Sequence, residues 1–302
     1  MVSTRTRGLL CAIGGCVAWG FSGTCAQFLL SGYELSSLTL TTIRLLCAGP
    51  ILLCISALRG TPANIRGMFS TRHDVVQILI FSLLGLFLAQ FTYLQAIKYT
   101  NAGTATMLGC LSTAMLLVVV CLRGRRAPRG VETAGILLAI LATWFIATGA
   151  DPSSLALSPE GLFWGITNAV IVTAYTLQSK PLMARWGSMP VVAVGMICGG
   201  VMCAIAAIPQ WSFPPIDLPG LAALAAIVLI GTCLSYSLFF QAILDLPPVE
   251  IGMLQVIEPG VATFFSVVWL ATFFSVTDYI GFAMMAAMVI LIAIAGEKDP
   301  QT

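Results

Sequence analysis

The chain has 302 residues, of which 59% are hydrophobic and only 9% are charged, and its formal net charge is +2. Soluble domains carry about 25% charged residues, so this composition excludes an ordinary water-soluble protein and favours one that lies in a lipid bilayer. The basic residues are few and form no continuous stripe, which excludes a typical nucleic-acid-binding surface.

Long apolar segments follow one another along the whole chain, joined by turn-like connections such as Pro214-Pro215 and Pro247-Pro248. A helix that crosses a bilayer needs roughly 20 mostly apolar residues. The segments therefore predict an all-α integral membrane protein with ten transmembrane helices. The predicted spans are 8–30, 36–58, 74–96, 102–122, 131–149, 160–180, 190–209, 218–241, 248–271 and 276–296.

Lysine and arginine residues outside these spans fall almost entirely on one side of the predicted membrane. The N-terminus, the even-numbered loops and the C-terminus carry Arg5, Arg7, Arg59, Arg66, Arg72, Arg123, Arg125, Arg126, Arg129, Lys180, Arg185 and Lys298. The odd-numbered loops carry only Lys98. Because cytoplasmic loops are enriched in Lys and Arg, this asymmetry predicts a multi-pass protein of the cytoplasmic membrane with both termini in the cytoplasm.

An internal repeat relates the first half of the chain to the second. At a shift of 146 residues the matches include Gly85 with Gly231, Gln95-Ala96-Ile97 with Gln241-Ala242-Ile243, and Gly135 with Gly281. Each copy holds five helices, an odd number, so the second copy enters the membrane from the opposite side. We therefore predict two inverted five-helix repeats, residues 1–150 and 151–302, an arrangement that many secondary transporters share.

Several short motifs occur in a characteristic order and spacing along the chain. They are Ala18-Trp19-Gly20, Arg44 followed by Ala48, the segment 95–102, Gly135 and Gly281, and Glu258-Pro259. Together they resemble the drug/metabolite transporter superfamily, and within it the EamA-type transporters. The resemblance implies an alternating-access carrier for small metabolites, commonly an exporter, and it does not imply one substrate.

The chain also departs from the pattern of that family. The family often has a proline in the fourth helix, where this chain has Ser112-Thr113. It often has a glutamate shortly before the last helix of each copy, where this chain has Arg126 and Thr272. No role of that glutamate is therefore carried over to this chain.

Two charged residues, Arg44 and Glu258, lie well inside the predicted spans and away from their ends, where charge is costly and marks functional positions. Glu258 lies roughly 15 Å into the ninth span, near the midplane of the bilayer, and Pro259 after it favours a kink. Glu258 is predicted to bind a substrate ammonium group or a coupling proton; a structural, hydrogen-bonded glutamate is the alternative. Arg44, in the second span, is predicted to hold a substrate carboxylate or to pair with Glu258, unless its head extends towards the outer surface.

Aromatic and polar side chains within the spans complete the predicted binding site. Trp19 and Trp164 occupy matching places in the two copies and are predicted to line a cavity by stacking or cation–π contacts, with lipid-facing packing as the alternative. The other predicted lining residues are Gln90, Asn168, Tyr175, Tyr236 and Gln255.

These features predict a secondary carrier, not an enzyme, for small polar or amphipathic metabolites such as amino acids. The chain has no Walker motif, so ATP does not drive it directly, and the proton is a candidate coupling ion. No cofactor or metal is predicted, because His73 is the only histidine and the cysteines lie in or at the ends of apolar runs. The alternatives are a non-transporting scaffold or receptor subunit and a membrane-embedded enzyme, and both a monomer and a homodimer fit the sequence.

Overall fold

The structure is a computed structural model that describes residues 3–60 and 62–297. This part of the chain is helical, with no β-strand. The helices are α1 (Thr4–Gly32), α2 (Ser37–Leu58), α3 (Pro62–Gly67), α4 (Arg72–Tyr99), α5 (Ala102–Arg123), α6 (Gly130–Thr148), α7 (Pro159–Trp186), α8 (Ser188–Ala207), α9 (Leu218–Asp245), α10 (Pro248–Leu254 and Ile257–Val268) and α11 (Val276–Glu297).

In the described ranges, nine helices are long and apolar enough to cross a bilayer, and they coincide with nine of the ten predicted spans. The remaining span, 160–180, corresponds to α7, which has 28 residues. This helix is long enough to cross but is not among the nine, and it carries Asn168 and Gln178 in its interior. A tenth crossing therefore stays a prediction. The short helix α3 was not predicted from the sequence.

Two pairs of helices depart from regular α-helical geometry at related places. A π-helical segment interrupts α4 at Ser82–Leu88 and α9 at Leu229–Leu234. A π turn holds an extra residue and so disturbs the regular ladder of carbonyl acceptors. In addition, α5 is interrupted by a turn at Cys110, and α10 by a turn at Gln255 and Val256.

The interruption of α10 has a simple cause in the sequence. Pro259 has no backbone N–H with which to reach the carbonyl of Gln255, four residues earlier, and its ring crowds that carbonyl. The carbonyl instead accepts a hydrogen bond from the backbone N–H of Glu258, at 3.2 Å. The corresponding interruption of α5 forms without a proline, directly after Gly109.

The most extensive helix contacts join helices that are distant in the sequence: α2 packs on α8, α6 on α11, α1 on α9 and α10, and α4 on α7. Glycines allow close approach, as is usual between helices in lipid. A Cβ added to Gly135 on α6 would lie 2.8 Å from Cγ1 of Ile292 on α11, and one added to Gly281 on α11 would lie 2.6 Å from Cγ1 of Ile146 on α6. There is thus no room for a methyl group at either contact.

One end of the bundle is held by ion pairs. Arg7 on α1 binds Asp245 on α9 at 2.7 Å, and Arg185 on α7 binds Asp74 on α4 at 2.9 Å. This is also the end at which the positively charged loops lie, so it corresponds to the predicted cytoplasmic side.

Candidate functional site

A cavity of about 430 Å³ lies at the centre of the helix bundle. Its wall is formed by residues of α1, α2, α4, α5, α7, α8, α9, α10 and α11. A larger groove, of about 920 Å³, lies between α5, α6 and α7 and is almost wholly apolar. We place the candidate site in the central cavity because several charged, polar and aromatic side chains converge there, as they do in small-molecule sites.

Most of the predicted site residues meet in this cavity. The lining residues among them are Trp19, Arg44, Gln90, Asn168, Tyr175, Tyr236, Gln255 and Glu258. Trp164 is not among the described residues that line it. Its ring instead packs against Phe91, at 5.6 Å between centroids, and Phe163, at 5.2 Å, so Trp164 has a packing position outside the site.

Arg44 is almost wholly buried, with 5% of its surface exposed, and is held by the π segment of α9. Its Nε–H donates to Oγ1 of Thr232 at 2.9 Å, and Nη2 donates to the carbonyl of Gly231 at 3.2 Å. Thr232 Oγ1 in turn donates to the carbonyl of Ile227 at 2.8 Å. The irregular helix thus supplies acceptors that a buried cation needs, and they hold the guanidinium at the cavity wall.

Glu258 lies in the first turn of the second piece of α10, three residues after the start of the interruption. Its side chain is half-buried, and it makes no hydrogen bond or ion pair with any residue in the described ranges. In particular, it does not form the predicted ion pair with Arg44. The cavity therefore holds a carboxyl group that is free to meet a ligand and a guanidinium that is already anchored.

Aromatic rings form a large part of the remaining wall. The Trp19 ring makes an edge contact with Tyr236, at 5.3 Å between centroids, and a tilted contact with Phe239, at 4.9 Å. Tyr175 packs edge-on against Phe81 at 6.2 Å. Edge-to-face contacts of this kind stabilise the rings in defined orientations, which gives the apolar part of the cavity a fixed shape.

Two further polar residues of the cavity wall, Asn168 and Tyr93, form hydrogen bonds within the protein. Asn168 is buried, and its Nδ2 donates to the carbonyl of Ala89 at 2.8 Å and to Oγ1 of Thr92 at 3.0 Å. Its amide nitrogen therefore joins α7 to α4. Tyr93 also lines the cavity, with its hydroxyl 2.8 Å from Oγ1 of Thr106. Tyr93 was not predicted, although it lies one helical turn from Gln90 and so shares its helix face.

The cavity extends farther towards one end of the bundle than towards the other. It reaches Met183 near the end of α7, Ser188 at the start of α8 and Ile243 near the end of α9. All three lie at the end that carries the ion pair between Arg7 and Asp245.

On the opposite side of the cavity a single side chain joins three parts of the chain. Gln27 on α1 donates from Nε2 to Thr272 Oγ1 at 3.0 Å, and its Oε1 accepts from the backbone N–H of Ala102 at 2.8 Å and from Ser266 Oγ at 3.1 Å. These contacts, which we call the Gln27 clamp (Gln27, Ala102, Ser266 and Thr272), hold α1, α5 and the end of α10 together above the cavity.

No group of three or more His, Cys, Asp or Glu side chains in the described part of the chain is arranged to hold a metal ion. The expectation that the protein uses no metal or cofactor stays a prediction.

The amino-acid sequence was compared with protein families and with known proteins. The sequence profile of the EamA-like transporter family matches residues 6–148 and again residues 159–294. A protein of Salmonella typhimurium with the name "Uncharacterized inner membrane transporter YicL" is 33% identical over 298 residues, which cover 99% of this chain and 98% of that protein.

More distant relatives agree with this match. The "Uncharacterized transporter YwfM" of Bacillus subtilis is 24% identical over 211 residues, or 68% of this chain and 70% of that protein. One solved crystal structure superposes with a TM-score of 0.67 at 18% identity and covers 99% of both chains, which shows that the two proteins share a fold.

Proposed function

Because this chain belongs to the EamA-like transporter family, within the drug/metabolite transporter superfamily, we propose that it is a secondary-active carrier that exports small polar or amphipathic metabolites, such as amino acids and related compounds, by alternating access. As a member of this family it is a multi-pass membrane protein. We place it in the cytoplasmic membrane with both termini in the cytoplasm, because its basic residues are so unevenly distributed between the two sides.

The proposed ground plan is ten membrane crossings in two inverted halves, residues 1–150 and 151–302. The family profile matches the chain twice, once in each proposed half. The irregular features also recur at the repeat distance of 146 residues: the π segments contain Gly85 and Gly231, and the helix interruptions lie at Cys110 and Val256.

The contacts between α6 and α11 support the same plan. Gly135 faces Ile292, and Gly281 faces Ile146. At the repeat distance Gly135 corresponds to Gly281 and Ile146 to Ile292, so one contact is the repeat image of the other. Such reciprocal contacts are what a two-fold axis between two similar halves produces.

In the proposed orientation we interpret the cavity as that of an inward-facing state. The cavity extends to the cytoplasmic ends of α7 and α9, whereas the Gln27 clamp closes the opposite side. Transport then requires the Gln27 clamp to open and the cytoplasmic side of the cavity to close. Substrate binding can shift the equilibrium between the two states only by the difference between its binding free energies to them.

The observation that carries the proposal is the unpaired carboxyl group of Glu258 in a cavity that also holds Arg44. Each comes from a different half, and their repeat counterparts are not charged, since Ser112 corresponds to Glu258 and α8 has no charged residue. In this proposal Glu258 binds a substrate ammonium group or a coupling proton, the anchored Arg44 attracts a carboxylate, and Trp19 and Tyr236 cover the apolar part of the substrate.

The test combines ligand binding with transport. The purified protein is screened by thermal unfolding against amino acids, amines, nucleosides and vitamins, since a ligand that prefers the folded state raises its stability. Hits are then measured as radiolabelled flux in proteoliposomes. We expect Glu258→Gln to abolish both the thermal shift and the flux.

The matched control is Glu250→Gln, which changes the same residue type on the same helix outside the cavity, where Glu250 binds Arg5 at 3.0 Å. This variant should retain ligand binding and flux. If Glu258→Gln binds and transports as well as the unaltered protein, Glu258 is not part of the site. If ligands bind but no flux occurs in either protein, the chain is a receptor and not a carrier.

A further inference from the structure

The apolar groove between α5, α6 and α7 is separate from the central cavity and larger than it. It has a volume of about 920 Å³, and its wall includes Leu111 and Arg123 on α5, Ile140 on α6, and Val170 and Ala174 on α7. Between the groove and the cavity, the hydroxyl of Thr173 donates to the carbonyl of Ala169 at 2.8 Å and lies 3.3 Å from the carbonyl of Ser112, so α7 and α5 are in contact there. The groove is thus a second site with its own walls.

The groove has the length of one leaflet of the bilayer. From Leu111 to Arg123 the wall of α5 rises twelve residues, or roughly 18 Å at about 1.5 Å per residue. Half of a hydrocarbon core of about 30 Å is close to this length. In the proposed orientation the end at Arg123 is the cytoplasmic surface of the membrane, and the end at Leu111 is near the midplane.

The walls face lipid and are mostly apolar. The polar exceptions besides Arg123 are two threonines and Gln178, whose Nε2 binds Gln77 at 2.9 Å and whose Oε1 is buried without a hydrogen bond from a described residue. Ile140 and Val170, both in the wall of the groove, are 60% and 51% exposed. The hydroxyl of Thr143 donates to the carbonyl of Ala139 at 2.8 Å, and that of Thr173 is also used. An apolar opening of this kind in hydrocarbon is filled by hydrocarbon, because water would leave its own hydrogen bonds unmade.

The cytoplasmic end of the groove carries a free cation. Arg123 is exposed, and its side chain makes no hydrogen bond or ion pair with any described residue. Its neighbour Arg126 differs, since two of its nitrogens bind the carboxylate of Glu132 at 2.7 and 2.9 Å. Basic positions between helices on the cytoplasmic side are where anionic lipid headgroups bind.

We propose that this groove binds an anionic phospholipid of the cytoplasmic leaflet, with one acyl chain along α5 and α7 and the headgroup phosphate on Arg123. The length of the groove, its apolar walls and the single free arginine at its polar end together match the chemistry of such a lipid. The site requires neither the transported substrate nor Glu258.

The test measures lipid binding to the purified full-length protein in detergent. Dioleoylphosphatidylglycerol, dioleoylphosphatidylcholine and inorganic phosphate are titrated separately, and bound lipid is counted by native mass spectrometry alongside the midpoint of thermal unfolding. We expect phosphatidylglycerol to bind and to raise the midpoint, and Arg123→Gln to weaken its binding about fivefold, the effect of one arginine near a membrane surface. The matched control is Arg125→Gln, which removes the same charge from an exposed residue outside the groove.

A second variant tests the acyl-chain site by filling it. Ala174 is exposed on the groove wall, so Ala174→Phe should reduce binding of phosphatidylglycerol, whereas Val201→Phe, on the membrane-facing side of α8, should not.

Four outcomes would overturn the proposal. Arg123→Gln could bind phosphatidylglycerol no less tightly than Arg125→Gln, or Ala174→Phe no less tightly than Val201→Phe. Inorganic phosphate alone could raise the midpoint as much as the lipid, which would identify a simple anion site. Finally, a lipid-free dimer that Ala174→Phe converts to a monomer would make the groove an interface between two copies of the chain.

Discussion

Arg7, in the first turn of α1, donates two hydrogen bonds to the carboxylate of Asp245 at the end of α9, from Nε at 2.8 Å and from Nη2 at 2.7 Å. At the other end of the same two helices, the hydroxyl of Tyr33 donates a hydrogen bond to Asp217. The helices α1 and α9 are therefore tied at both ends, and each belongs to a different proposed half.

The helices α4 and α7 form a second pair of the same kind. Arg185 binds Asp74 at one end at 2.9 Å, and at the other end Oγ of Ser158 donates to the carbonyl of Tyr99 at 3.0 Å. In carriers built from two inverted halves, alternating access is largely a rocking of one half against the other. Because both helix pairs are joined at both ends, we expect a different movement here. The moving units would be the pairs α1–α9 and α4–α7, each of which contains one helix from each half.

The pairing of Arg7 with Asp245 predicts non-additive effects of mutation. Arg7→Gln and Asp245→Asn should each lower the midpoint of thermal unfolding and slow transport, because each leaves one partner charged and without its counterion. The double variant should be no worse than the worse single variant, since neither charge is then left alone. Thermal unfolding and flux in proteoliposomes measure both effects.

The control for this pair is Arg5→Gln, because Arg5 is more exposed and binds Glu250 through one hydrogen bond. Its effect should be smaller. Strictly additive losses in the Arg7 and Asp245 double variant would mean that the two residues do not act as a pair.

The close contact between Gly231 and Ser22 predicts a mutation and its rescue. A Cβ added to Gly231 would lie 2.0 Å from Oγ and 2.1 Å from Cβ of Ser22 on α1. Gly231→Ala should therefore reduce the free energy of unfolding by about 1–3 kcal/mol, the usual effect of overpacking, and should also displace the carbonyl that holds Arg44. Ser22→Gly removes both clashing atoms, so the double variant should recover most of the stability.

Gly260→Ala is the control for this substitution, because nothing lies within 4 Å of an added Cβ at that helical position. It should be neutral or slightly stabilising, since alanine has the higher helix propensity. Equal losses in Gly231→Ala and Gly260→Ala, measured by denaturation in detergent, would contradict a steric origin.

The contact between Tyr33 and Asp217 predicts a pH-dependent contribution to stability. The hydrogen bond from Tyr33, together with one from the backbone N–H of Gly220, lowers the pKa of Asp217, and the same hydrogen bond raises the pKa of Tyr33. Because the pKa of Asp217 is lowered on folding, its stabilisation is present above its unfolded value and is lost as pH falls through the folded value. Because the pKa of Tyr33 is raised, its stabilisation is present at neutral pH and is lost as pH rises through the folded value.

Tyr33→Phe should therefore lower the midpoint of thermal unfolding most between these two limits, with a difference from the unaltered protein that narrows in both acid and strong alkali. Tyr99→Phe, which removes a hydroxyl from an exposed side chain on the same side of the bundle, is the control and should lower the midpoint less than Tyr33→Phe does. A difference that is constant from acid to alkali would contradict the proposed charge state of the pair.

The sequence already indicated where the helices lie and which charges are of interest. The α2 helix begins and ends within a residue of its predicted span, because a membrane crossing demands an apolar segment of nearly fixed length. Arg44 and Glu258 could be selected because charged side chains within such segments are rare and costly. The structure brings both to the same cavity.

Other features of the site had no comparable signal. The two tryptophans appear equivalent in the sequence, yet Trp19 lines the cavity and Trp164 packs against Phe91 and Phe163. In a soluble protein the apolar face of a helix identifies its buried side. In lipid both the buried and the exposed faces are apolar, so the pattern does not reveal which way a side chain points.

By itself, the sequence determined the positions of the helices, the unequal distribution of positive charge and the two charged residues well inside the spans, because the bilayer imposes each of these on the chain locally. The tertiary structure alone decided that Arg44 is held by the π segment of α9 while Glu258 is left without a partner, and that Gln27 closes one side of the cavity. These contacts join residues more than 70 positions apart, and they depend on the rotation of each helix about its axis, which packing against distant helices determines.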